Sequence, residues 1–86
     1  MIEPGQTIEG CTGVVKWWSR VRGYGHITST RLPGLDIFVH YSDIDGEGHR
    51  NLLEDEAVSF DAVPNHKNGK YKGWKAVNVK KLRNYG

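Results

Sequence analysis

Cysteine and long apolar runs are both scarce in this chain, and each scarcity removes a class of protein. The lone Cys11 has no partner for an internal disulfide, which points to a reducing compartment and a cytoplasmic protein. No stretch approaches the roughly 20 apolar residues that span a bilayer as a helix. The opening MIEPGQTIEG has no basic region followed by an apolar run, so it does not read as a secretory signal. There is no internal repeat, no low-complexity run and no helical period sustained over ten residues. Apolar residues make up 37% of the 86, enough for one thin core. A domain of this size buries only about 60% of its unfolded surface. A deep catalytic cleft with its supporting shell is hard to house on such a scaffold, whereas a binding surface is not.

Acidic charge is unevenly missing. Lys16, Arg20, Arg22 and Arg31 lie in a stretch without an acid. Residues 36–61 hold eight acids and one base, Arg50. Residues 67–83 hold seven bases and no acid. The net charge of +2 is small, but two basic segments bracket an acidic one. If the fold joins the basic segments, one face is positive and suits a polyanion. The plain alternative is a set of solvated lysines that keep the chain dispersed.

What remains is a series of short strand-like runs between turn residues. They lie near 11–19 (CTGVVKWWS), 23–29 (GYGHITS), 36–41 (DIFVHY), 56–63 (EAVSFDAV) and 74–82 (WKAVNVKKL). Pro33-Gly34 marks a turn, residues 42–53 read as a long loop, and residues 64–73 as a basic, polar loop. Residues 1–9 read as a flexible arm, 10–83 as the domain and 84–86 as a tail. Five short strands predict an all-β, antiparallel barrel, because closure removes exposed edges.

Side chains alternate between the faces of a strand. Gly23, Gly25 and Ile27 share one face of the second run, and Tyr24 and His26 the other. In the third run Ile37 and Val39 oppose Phe38 and His40. Pairing the two runs with Ile27, Ile37 and Val39 inside leaves Tyr24, His26, Phe38 and His40 outside together. The reverse register would bury two imidazoles and expose three aliphatics. The outer rings then stand beside Lys16, Arg22 and one of the two tryptophans, Trp17 or Trp18. Adjacent residues face opposite ways, so both join only through a bulge. Flat rings interleaved with cations suit unpaired nucleobases and their phosphates. The competing reading is a cross-strand aromatic pair that only stabilises the sheet.

These residues resemble the cold-shock domain, with the closest likeness to small bacterial cold-shock proteins. The carriers are GVVKWW at 13–18, RGYGHIT at 22–28, DIFVHYSDI at 36–44, GEGHRNL at 46–52, EAVSF at 56–60 and AVNV at 76–79. The resemblance implies a five-stranded Greek-key barrel of the oligonucleotide-binding (OB) type. It implies binding of single-stranded RNA and DNA; tolerance for pyrimidines and a monomeric state are expected beside it. It further implies a nucleic-acid chaperone that melts RNA secondary structure and regulates transcription or translation. By position, the stacking residues would be Trp17, Tyr24, His26, Phe38, His40, Tyr41 and His49, with Lys16, Arg22 and Asp36 as polar contacts. The family usually has Phe where this chain has Trp18, Tyr24, His26, Tyr41 and His49. The 64–73 segment is longer than usual, and Lys70 within it and Trp74 just after it are candidates for extending the binding face.

Rival readings fare worse. GYGHIT lacks the third glycine of a dinucleotide loop and no helix follows it. An RNA-recognition-motif fold needs two amphipathic helices. His26, His40, His49, His66 and Cys11 match no zinc spacing, so no metal or cofactor is expected. His40 with Asp43 or Asp45 has no nucleophile–base–orienter pattern, so no enzyme is expected. The remaining alternative is a protein-interaction module that uses the rings as a hot spot.

Overall fold

The computed structural model describes residues 6–46 and 50–82. Five strands form a closed barrel: β1 (Ile8–Ser19), β2 (Tyr24–Thr28), β3 (Ile37–His40), β4 (Ala57–Lys67) and β5 (Lys70–Lys81). The order around the barrel is β1-β2-β3-β5-β4. Four seams are antiparallel, as expected, but β3 pairs with β5 in parallel, so the sheet is mixed. Among the described residues the helical content is one 3₁₀ turn, Tyr41–Asp43, after β3. No helix among the described residues is long and apolar enough to cross a membrane.

Strand alternation builds the core. Ile27, Ile37, Val39, Val58, Phe60 and Ala62 all point inward, as the period of two requires. β1 begins at Ile8, earlier than the apolar run suggests, because Ile8 seals the core opposite Ala62. Gly25 is inward for a specific reason: a Cβ there would run into the Trp17 carbonyl oxygen and the Trp18 Cα. Two backbones meet at this point and only glycine fits.

The 64–73 segment corrects the loop expectation. It is the outer part of a β4–β5 hairpin, closed by the two-residue turn Asn68-Gly69. Both turn residues have positive φ, 55° and 75°, as a type I′ turn needs. Pro64 is tolerated because β4 is no longer flanked by β1 there.

One carboxylate pins two strand irregularities. β1 carries an extra residue between Ile8 and Cys11, at Gly10 (φ 70°). β5 carries one opposite Ser59–Asp61, at Asn78 (φ 52°). Asp61 lies on β4 between them. Its Oδ1 accepts from the Gly10 N–H at 3.0 Å and its Oδ2 from the Asn78 amide at 3.1 Å. These two donors hold the Asp61 carboxyl below the ordinary aspartate value.

Two outcomes follow from this packing. Gly25→Ala should destabilise the fold by about 1–3 kcal/mol or more, measured by urea unfolding, and unchanged stability would refute the backbone contact. Asp61→Ala should lower stability at neutral pH by about 1 kcal/mol. A carboxyl with a lowered folded value stabilises above the ordinary range and loses that contribution as pH falls through the folded value. The gap between wild type and Asp61→Ala should therefore close below about pH 3.9. A gap that persists there would mean that the charge is irrelevant.

Candidate nucleic-acid interface

The outer face of β1, β2 and β3 gathers the rings. In register, Tyr24 lies opposite His40, His26 opposite Phe38, and Trp17 opposite His26. Tyr24 and Phe38 are 5.7 Å apart between centroids and tilted by 39°. Trp17 packs edge-on against Tyr24 at 6.0 Å and against His26 at 5.0 Å. Tyr41, in the 3₁₀ turn, lies 4.5 Å from His40 and extends the row. Its ring rests on Gly23, where a Cβ would meet it at 2.7 Å. The five strand rings are half-buried rather than free, because each shields its neighbour's edge.

The tryptophan ambiguity is resolved by a bulge. Val15 pairs with Ile27 and Trp17 with His26, so Lys16 is an extra residue in β1. The slip turns Trp17 out to the rings. Trp18 instead packs partly buried against the core, and its Nε1 donates to Asn51 Oδ1 at 3.1 Å. Trp18 thus makes no contact with the ring row, contrary to its inclusion among the candidates. Asn51 was legible only as a polar loop residue. Trp74 also departs from expectation: it is a core residue, 5% exposed, and leaves no face for a base. Lys70 stands at the outer end of the hairpin, away from the rings. His49 lies outside the described residues.

Polar groups edge the row. Lys16 Nζ binds Asp36 Oδ1 at 3.1 Å, an exposed ion pair that is screened by water. Arg22 Nη1 donates to the Tyr24 hydroxyl at 3.3 Å, a bond that raises the basicity of the guanidinium. His40 Nδ1 accepts from the Ser42 N–H at 3.2 Å, which orients the imidazole. Lys75 faces Phe38 across the parallel seam, a cation beside the rings that β5 supplies. The buried Cys11 is remote from this chemistry, and burial pushes its thiol up.

An OB-type barrel with rings and cations on one face defines a nucleic-acid-binding domain. Residues 11–82 match the family described as the 'Cold-shock' DNA-binding domain, and the chain belongs to that family. It is 41% identical over 70 residues to "Cold shock-like protein" of Aquifex aeolicus (strain VF5), covering 81% of this chain and 91% of that protein. It is also 41% identical over 70 residues to "Cold shock protein CspB" of Geobacillus stearothermophilus, covering 81% and 96%. Identity reaches 47% over 49 residues with "Cold shock-like protein CspA" of Bordetella pertussis, covering 57% and 72%.

His26 ties Trp17 into the row. Its Nδ1 accepts from Trp17 Nε1 at 3.0 Å, which requires Nδ1 to carry no proton. Asp36 Oδ2 stands 3.9 Å from the same atom, with Lys16 bound to the same carboxylate. His26→Phe removes the acceptor and should shift the Trp17 indole N–H resonance toward its free position. A resonance that stays in place would refute the bond.

Proposed function

We propose that this cold-shock-type domain acts as a monomeric chaperone of single-stranded RNA and DNA, and that it reads them by stacking. The observation that carries the reading is one face that gathers Trp17, Tyr24, His26 and Phe38 in ring contact, with the His40–Tyr41 pair next to them in register. Every nucleobase has a π-face, so such a row tolerates sequence variation, pyrimidines included. Lys16, Arg22 and Lys75 stand at its edges to neutralise phosphates, and the Asp36 carboxylate beside His26 offers a base edge an acceptor. Duplex hides base faces, so the row captures only strands that breathe open. Binding then opposes re-pairing, which melts weak RNA structure without nucleotide hydrolysis. Opening hairpins in a transcript is also the route by which such binding would regulate transcription or translation.

Titrating a short pyrimidine oligonucleotide should quench tryptophan fluorescence through Trp17. Phe38→Ala should weaken binding by about 1–3 kcal/mol while the fold is kept, as judged by circular dichroism. The log–log salt slope should be about −0.7 per phosphate neutralised. Absence of quenching together with equal affinity for duplex would reject the stacking row. Retained affinity for a protein partner with no salt dependence would favour the interaction-module reading.

A further inference from the structure

Three arginines converge beside Tyr41, the ring that the 3₁₀ turn adds to the row. Arg20 and Arg22 lie on the turn between β1 and β2, and Arg50 lies on the segment that follows the 3₁₀ turn. With Tyr41, Gly23 and Asn51 they line an open pocket of about 450 Å³. No acidic residue lines it among the described residues. The ion pairs among those residues are those of Asp36 with Lys16 and His26, so none of the three guanidiniums is neutralised. Like charges gathered on one pocket repel one another, and an anion placed there relieves that repulsion.

The walls of the pocket are tied in place. On the turn, Ser19 Oγ accepts from the Arg22 N–H at 3.2 Å and the Ser19 carbonyl accepts from the Gly23 N–H at 2.8 Å. The Gly23 carbonyl in turn accepts from the Tyr41 N–H at 2.8 Å, so the turn and the ring share one support. On the other side Leu52 sits in the core, 2% exposed. Asn51 next to it accepts from the Trp18 indole at 3.1 Å, a bond that phenylalanine could not make. Arg50 follows from these anchors, and its Nε donates to the Gly46 carbonyl at 3.3 Å. That bond and the bond of Arg22 Nη1 to the Tyr24 hydroxyl each occupy one nitrogen of a guanidinium. The remaining N–H groups are free to reach a ligand.

The planar guanidinium fork matches the paired oxygens of a phosphate. A phosphodiester inside a strand carries a single negative charge, which is less than three arginines can neutralise. A phosphomonoester carries about −1.5 to −2 at pH 7 and presents three acceptor oxygens. Phosphomonoesters occur only at chain ends, and the pocket opens beside a ring at the edge of the row. We propose that this pocket takes the terminal phosphate of a bound strand, so that the protein distinguishes a phosphorylated chain end from a hydroxyl end. This inference rests on the stacking role of the ring face, which brings the strand to Tyr41.

The test uses pyrimidine strands of about six nucleotides, within the range of sites on such folds. They differ only at their ends: hydroxyl at both, phosphate at the 5′ end, or phosphate at the 3′ end. Phosphate at one end should tighten binding about fivefold or more, and phosphate at the other should change it by less than about twofold. Replacing Arg20 and Arg50 together by Gln should remove the gain and leave the hydroxyl-ended strand within about twofold, with the fold checked by circular dichroism. If neither end gives a gain while Phe38→Ala still weakens binding, the pocket inference fails and the ring face stands. Equal gain at both ends, or equal loss on all three strands in the variant, also overturns it, because that is general attraction. A free pyrimidine nucleoside monophosphate that binds as tightly as the phosphorylated strand overturns the chain-end role as well. If wild type binds no strand, both readings fall.

Discussion

One inserted residue in β1 governs the face of this protein. A barrel strand that ran straight would send Trp17 and Trp18 to opposite sides in strict alternation from Val15, with Trp17 turned inward. The slip at Lys16 reverses that order. Trp17 moves out beside Tyr24 and His26, and Trp18 turns back against the core to meet Asn51. The same slip brings Lys16 to Asp36, so the bulge positions a ring and a cation together. Gly25 is the condition for it, since the Trp17 carbonyl occupies the space where a side chain would stand. A bulge next to a functional surface commonly re-aims a side chain, and here it re-aims two.

The ring row is held before any ligand arrives. Each ring contacts a neighbour, Tyr24 is tied to Arg22, Trp17 to His26, and the His40 imidazole to the backbone of Ser42. Ordering flexible side chains on binding costs roughly 0.5–1.5 kcal/mol apiece. A row already braced avoids most of that cost. Histidine at position 26 adds something a phenylalanine would not: an acceptor that fixes the neighbouring indole. The smaller ring offers less stacking area, but it buys orientation for Trp17.

Much of this was legible in the sequence where alternation was clean. β2 and β3 alternate small or aliphatic residues with rings, and the either-or rule of register places the rings outside. The parallel β3–β5 seam was not legible, because strand runs carry no sign of which distant edge they join. Trp74 sits among lysines and reads as the head of the fifth strand and a spare ring for the binding face, yet it starts the inward series that continues at Ala76. The hairpin itself had a signal. Asn68-Gly69 is the dipeptide that a two-residue hairpin turn prefers, but Pro64 and a run of polar residues mask it by composition. Asn78 and Gly10 show the other limit. Their left-handed backbones interrupt the inward period, and only the three-strand meeting at Asp61 reveals why.

Charge closes the argument. The acidic middle segment and the basic last segment are adjacent in sequence, yet among the described residues no ion pair joins them. Asp61 is spent on a backbone N–H and an amide, and Glu56 accepts from the Leu53 N–H. The acids therefore serve turns and bulges, where they satisfy donors that the sheet leaves open. The lysines of β5 and of the outer β4–β5 hairpin are left to face water, so this side of the barrel keeps a positive field.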